Sequence, residues 1–258
     1  MFGFLFKNRR RQKLLDAPLP DEWRQIIESN VAVYSQLSVE QQQRLIQAVK
    51  IIVAERSFVG CQGLVISDEV KVTIAAQAAL LLLGEEGYYF DRVPTIFVYP
   101  QHQVTKAVHD LSYAHLVEED VPIDGQALEQ GEIRLAWNEV LYGASDPADG
   151  ENVVLHELAH HLDRLDGEMG GTPPLASHQQ REQWVAVFDR ELTALRSDQE
   201  REVETFLHEE AAESRAELFA YSTECFFEQP HELEEWHPEL FGCLLAFYKT
   251  DPREWFVR

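Results

Sequence analysis

The residues with the clearest chemical potential are His156, Glu157 and His160, in the segment Val153-Val154-Leu155-His156-Glu157-Leu158-Ala159-His160-His161-Leu162. This is H-E-x-x-H. A helix turns about 100° per residue, so His156 and His160 fall about 40° apart, one turn above the other. Two imidazoles placed this way can hold one Zn²⁺. Glu157 lies beside them, where a carboxylate can take a proton from water activated at the ion. Leu158 and Ala159 favour helix, and Val153, Val154, Leu155 and Leu162 give the apolar support of a buried helix.

A catalytic zinc commonly takes three protein ligands and leaves one position open. Spacing alone offers two sources for the third. In metzincins the motif continues as G-x-x-H, the Gly breaking the helix; the equivalent positions here are Asp163 and Asp166, and without the Gly that turn is not encoded. The second source is a later helix. Glu213, Glu217 and Glu224 are spaced by four and seven and share a face, beside Leu218, Phe219, Cys225 and Phe226. Buried carboxylates are unfavourable unless paired or bound to metal. The spacing does not choose among the three.

The elements that would position these groups read as follows. Asp21 is expected to cap a short helix through Ile27, and Ser38-Val39-Glu40-Gln41 is an S-x-x-Q capping box opening a helix with an apolar stripe of Leu45, Ile46, Val49, Ile52 and Val53. Phe58–Cys61 and Leu64–Ile66 read as short extended segments. Ser67 or Asp68 should cap a helix running to Leu83 and stopped by Gly84. Strands are expected at Thr95–Tyr99, Val117–Ile123 and Gly131–Trp137, with turns at Asp124-Gly125 and Gly131. Gly131–Trp137 is a plausible edge for pairing with an extended peptide. A loop, Asp146–Gly150, leads into the H-E-x-x-H helix. Ser177-His178-Gln179-Gln180 opens a helix to about Leu195, a charged linker spans Arg196–Glu204, and a helix runs from about Ala211 to Phe227. Pro230 and Pro238 punctuate the closing helices. The order gives an α+β fold: a basic tail over residues 1–20, flexible or docked, and one domain over 21–258, its part to about residue 90 helical and its catalytic core beyond.

Composition narrows the function. The formal net charge is −23 over 258 residues, which argues against nucleic acid as a partner. Lys7, Arg9, Arg10, Arg11 and Lys13 carry +5; taking that from −23 leaves −28 for the rest. Met1–Phe6 precedes these bases, the reverse of a secretory signal, so a frayed or docked tail is expected, with weak membrane-surface contact as the alternative. The apolar run from Ile74 to Leu83 is too short for a transmembrane segment. Cys61, Cys225 and Cys243 form no C-x-x-C pair and suit a reducing, cytoplasmic compartment. His161, about 100° round the helix from its neighbour, reads as structural, His102, His109 and His115 as loop or surface, Cys225 as an inert thiol, and Trp236, Trp255 and Phe256 as core or docking residues.

Taken with Ala216-Glu217-Leu218-Phe219-Ala220 and Ser222-Thr223-Glu224-Cys225-Phe226-Phe227, the H-E-x-x-H segment resembles the MtfA (Mlc titration factor A) family of bacterial zinc peptidases. The likeness covers most of the chain. It implies a zincin-like, gluzincin-type core related to the catalytic domain of anthrax lethal factor, with a small mixed sheet. It implies one Zn²⁺ per chain, held by His156, His160 and Glu217, with Glu157 as general base and Glu224 hydrogen-bonding a ligand histidine from behind. It implies aminopeptidase-type cleavage of short peptides, or binding of a transcriptional repressor such as Mlc with zinc mainly structural. One departure stands out. The family usually has Tyr seven residues before the ligand Glu, and that position here is Glu210. Tyr221, one turn after Glu217, and His208 are the nearby candidates for oxyanion stabilisation.

Overall fold

Local signals place most of the helices. The computed structural model describes residues 2–85, 87–101 and 131–256. Along them run α1 (Phe2–Asp16), α2 (Asp21–Asn30), α3 (Val39–Glu55), β1 (Ser57–Gly60), α4 (Asp68–Leu80), β2 (Thr95–Tyr99), β3 (Ile133–Ala136), α5 (Trp137–Ser145), α6 (Val153–Asp163), α7 (His178–Glu200), α8 (Arg215–Glu228), α9 (Pro230–Trp236) and α10 (Pro238–Tyr248). The Ser38 box is complete: its hydroxyl accepts from the Gln41 N–H at 3.2 Å, and the Ser38 N–H donates to Gln41 Oε1 at 2.9 Å. Ser67 and Ser177 cap α4 and α7. Asp21 is instead the first residue of α2, which has no side-chain cap and runs on to Asn30. As a first-turn acid, Asp21 faces the positive end of the helix.

The chain forms two compact units, one of residues 1–82 with 87–145, the other of residues 83–86 with 146–258. The first contains the sheet. Its described strands lie in the order β1-β2-β3 and pair in parallel, Val59 opposite Phe97 and Val98 opposite Leu135; the mixed pairing expected is not among them. Leu64–Ile66 does not join, because the chain turns at Gln62-Gly63 and the Leu64 N–H bonds back to the Cys61 carbonyl at 3.0 Å. Gly131 enters β3 at φ +115°, and a Cβ there would lie 2.3 Å from the Arg92 carbonyl oxygen, so the site admits only glycine. The expected strand at Val117–Ile123, the turn at Asp124-Gly125, and His102, His109 and His115 lie outside the described residues. Trp137 opens α5 instead of ending a strand. That helix carries no capping residue, since it starts directly where β3 stops.

The basic N-terminal segment is helical and held on this unit. Arg11 bonds Glu55 at 2.7 Å, donates to the Gly87 carbonyl at 3.2 Å and pairs with Asp91; Lys7 reaches Asp91 at 3.0 Å. Lys50 donates to the carbonyls of Leu15 and Ala17. Burial alone would raise the Glu55 and Asp91 carboxyls, but their bonded cations, Arg11 for Glu55 and Lys7 with Arg11 for Asp91, hold them below the usual carboxylate range. A depressed folded pKa contributes stability that is present above the unfolded value and lost as the pH falls through the folded one. Arg11→Ala should therefore lower stability at pH 7 by roughly 3 kcal/mol, Arg56 at 3.3 Å remaining to pair Glu55. The difference from wild type in urea midpoint should shrink below about pH 4. An equal difference at pH 3 would mean that packing, not charge, holds the helix.

The second unit is helical. Every residue of α8 from Ala216 to Glu228 is buried, which explains why it lacks a solvent face. Trp184 and Phe188 stack at 4.4 Å, and Trp184 meets Phe219 edge-on at 5.4 Å. Two expectations need correction. α7 continues through the presumed linker to Glu200, because Arg196 donates to the carbonyls of Ala212 and Glu213 and so keeps a charged turn attached. Trp236, at the end of α9, is 67% exposed, whereas Trp255 is buried as expected. No helix among the described residues is long and apolar enough to cross a membrane.

Candidate metal centre

α6 is built to present one face. Asn152 caps it, its Oδ1 accepting from the Leu155 N–H at 3.2 Å. The Asn152 N–H donates to Glu224 Oε2 on α8, and Asn152 Nδ2 donates to Glu228 Oε1 at 2.9 Å. The same residue thus opens α6 and ties it to α8.

Across this contact His156, His160 and Glu217 converge. The two Nε2 atoms are 3.2 Å apart. Glu217 Oε2 is 3.3 Å from His156 Nε2, and Oε1 is 3.4 Å from His160 Nε2. Ligands about 2.0–2.1 Å from a tetrahedral zinc lie about 3.3 Å from one another, and each of these separations is near that value, with one Glu217 oxygen facing each imidazole. Glu224 Oε1 lies 2.8 Å from His156 Nδ1. With that nitrogen donating to Glu224, the lone pair is left on Nε2, the atom that faces His160 and Glu217. His160 Nδ1 is buried with no hydrogen-bond partner among the described residues.

The electrostatics favour a cation at this place. Burial alone would lower the His156 pKa, but the bonds to Glu217 and Glu224 outweigh it and raise it. Burial alone would raise Glu217, but the two imidazoles pull it well below the usual carboxylate range. Glu224 is raised by its burial against the pull of His156. Glu157 is half-buried at its surface, and its deep setting raises its carboxyl against the pull of His156 and His160. A metal ion supplies the positive charge that the carboxylates otherwise draw onto an imidazole.

Tyr221 packs its ring edge-on to His156 with centroids 4.8 Å apart, and stacks on His208, also at 4.8 Å. Its hydroxyl donates to the carboxylate of Glu210, the residue standing where a Tyr was expected. The alternative ligands point elsewhere. Glu213 is exposed. Asp166 accepts from the Glu168 N–H at 3.1 Å and faces Arg181 at 3.7 Å. His161 and Cys225 are buried, and burial pushes the Cys225 thiol far up. Sequence reading missed Asn152, whose signal was an amide residue directly before an apolar periodic run. It also missed Glu228, whose pairing with Asn152 is set by how α6 meets α8 and not by a local pattern.

The chain belongs to a family of metallopeptidases, the glucose-regulated metallo-peptidase M90 family, whose model matches residues 5–249. It is 34% identical over 245 residues to an uncharacterised protein of Synechocystis sp., covering 94% of this chain and 89% of that one. It is 27% identical over 261 residues to proteins named Mlc titration factor A in Yersinia pestis and Yersinia pseudotuberculosis, covering 98% of this chain and 91% of each relative.

Proposed function

We propose that this chain is a zincin-like, zinc-dependent peptidase that hydrolyses short peptides in the manner of an aminopeptidase. The observation that carries the reading is the convergence of His156, His160 and Glu217: the two Nε2 atoms are 3.2 Å apart, and the Glu217 oxygens lie 3.3 Å from the first and 3.4 Å from the second. These three residues would hold the ion. When bound, zinc supplies Lewis acidity and brings the pKa of water there to about 7. Glu157, next to His156, takes the proton of the attacking water and hands it to the departing amine. Glu224 and Asn152 hold His156 in the tautomer that leaves Nε2 free to ligate. Tyr221, whose ring lies against His156, would donate a hydrogen bond to the developing oxyanion once its hydroxyl leaves Glu210. The three cysteines, free and buried, suit a reducing, cytoplasmic setting.

The test is a fluorogenic peptide panel, blocked and free at the N-terminus, run alongside metal analysis. We expect one zinc per chain, cleavage of peptides with a free N-terminus, loss of cleavage on chelation and its return with zinc; Tyr221→Phe should lower kcat more than it changes KM. Cleavage indifferent to chelation would rule the reading out. A second reading draws on the name of the Yersinia relatives, which links them to the regulator Mlc. This chain would then bind a transcriptional regulator, with zinc serving structure. Glu157 argues for the first reading, because a structural zinc has no use for an adjacent proton acceptor.

A further inference from the structure

Asp163 ends α6, one turn beyond His160, and is completely buried. A carboxylate is poorly placed there, since the last turn of a helix is its negative end. Two backbone N–H groups answer it: Gly171 donates to Oδ2 at 2.7 Å and Thr172 to Oδ1 at 2.6 Å. The loop so gripped is fixed on two further sides. The Gly171 carbonyl accepts from Trp184 Nε1 of α7 at 2.8 Å. Gly171 itself sits at φ +68°, and a Cβ there would lie 2.3 Å from the carbonyl carbon and oxygen of Arg215 and 2.7 Å from the Ala216 nitrogen. The loop therefore rests directly on the backbone of the first turn of α8. Glu217 belongs to that turn, its N–H capped by Ser214 Oγ at 3.1 Å.

The geometry points to Asp163 as a positioning residue for the metal centre: through the Gly171–Thr172 loop it sets the start of α8, and hence Glu217, against the two imidazoles of α6. Asn152 ties the other end of α6 to α8 through Glu224. With both ends tied, neither helix can slide along the other, and the edges of the ligand triangle stay near 3.3 Å. Holding ligands by such outer contacts is worth roughly 10–100-fold in metal affinity.

The inference rests on the zinc reading, and the experiment separates the two. Zinc affinity is measured by competition with a chromophoric chelator, well below each variant's thermal midpoint and with the fold checked by circular dichroism. Asp163→Asn keeps the shape but turns an amide NH₂ toward one of the two N–H donors. Gly171→Ala leaves Asp163 intact and disturbs the clamp from the α8 side. Each is expected to weaken zinc binding by roughly 10–100-fold. The double variant should lose less than the product of the two, because both break one contact. Hydrogen exchange on the unaltered chain needs no variant: zinc should slow exchange at the Gly171 and Thr172 amides. Folded variants with wild-type zinc affinity, or exchange at these amides indifferent to zinc, would overturn the role of Asp163. An unaltered chain that takes up no zinc would remove the zinc reading and this inference with it.

Discussion

Glu157→Gln should bind zinc as the unaltered chain does and lose roughly 10²–10⁴-fold in kcat, the usual worth of a positioned proton acceptor. The substitution changes one oxygen for a nitrogen and removes the charge while keeping the shape. None of the atoms that make the ligand triangle belongs to Glu157, so the metal set is untouched. What disappears is the only ability that the mechanism asks of this residue, to accept a proton and release it to the leaving amine. Because the loss falls on a step after binding, KM should move little. Metal analysis and single-turnover cleavage on the same sample check both halves. Retained turnover with retained zinc would mean that another group carries the proton. Loss of zinc together with turnover would mean that Glu157 supports the cage and not the chemistry.

How much of this site is legible in the sequence depends on how local each relation is. His156 and His160 are neighbours by helical geometry alone, so their spacing is sufficient to set them side by side. Glu217 is different. Glu213, Glu217 and Glu224 share a face by spacing, and nothing local distinguishes the one at the imidazoles from the exposed one or from the one behind His156. Resemblance pointed to Glu217, and the structure brings that residue to within 3.4 Å of both imidazoles. The cap at Asn152 is a local signal, whereas its N–H bond to Glu224 depends on how α6 and α8 cross. Asp163 drew attention only as the place where a helix-breaking Gly was missing. Its grip on Gly171 and Thr172 depends on the path of a loop that no pattern fixes. The fold follows the same rule. Capping serines and periodic stripes locate α3, α4 and α7, while α5 has no cap and the last turns of α7 look like linker because their partners are carbonyls distant in sequence.

The second large effect is expected at Glu217, where Ala should remove zinc binding at limiting metal. This residue offers the only carboxylate among the three residues proposed to hold the ion, with one oxygen 3.3 Å from His156 and the other 3.4 Å from His160. Without it, two imidazoles remain, and the anion that offsets the ion's charge in a buried site is gone. The loss should exceed the roughly 10–100-fold that follows from disturbing outer contacts, and so should exceed that of Asp163→Asn. Thermal unfolding gives an independent reading. A ligand present at 1,000 times its Kd stabilises a fold by about 4.1 kcal/mol, so zinc should raise the midpoint of the unaltered chain clearly. The metal-free form of Glu217→Ala should itself melt below the metal-free unaltered chain, because the carboxyl that the two imidazoles hold down contributes stability at neutral pH that the variant lacks. The zinc-dependent rise should be absent in Glu217→Ala. A rise of full size in that variant would show that a different carboxylate, Glu213 or Asp166, completes the set, and that the triangle seen between α6 and α8 is an ion pair and not a cage.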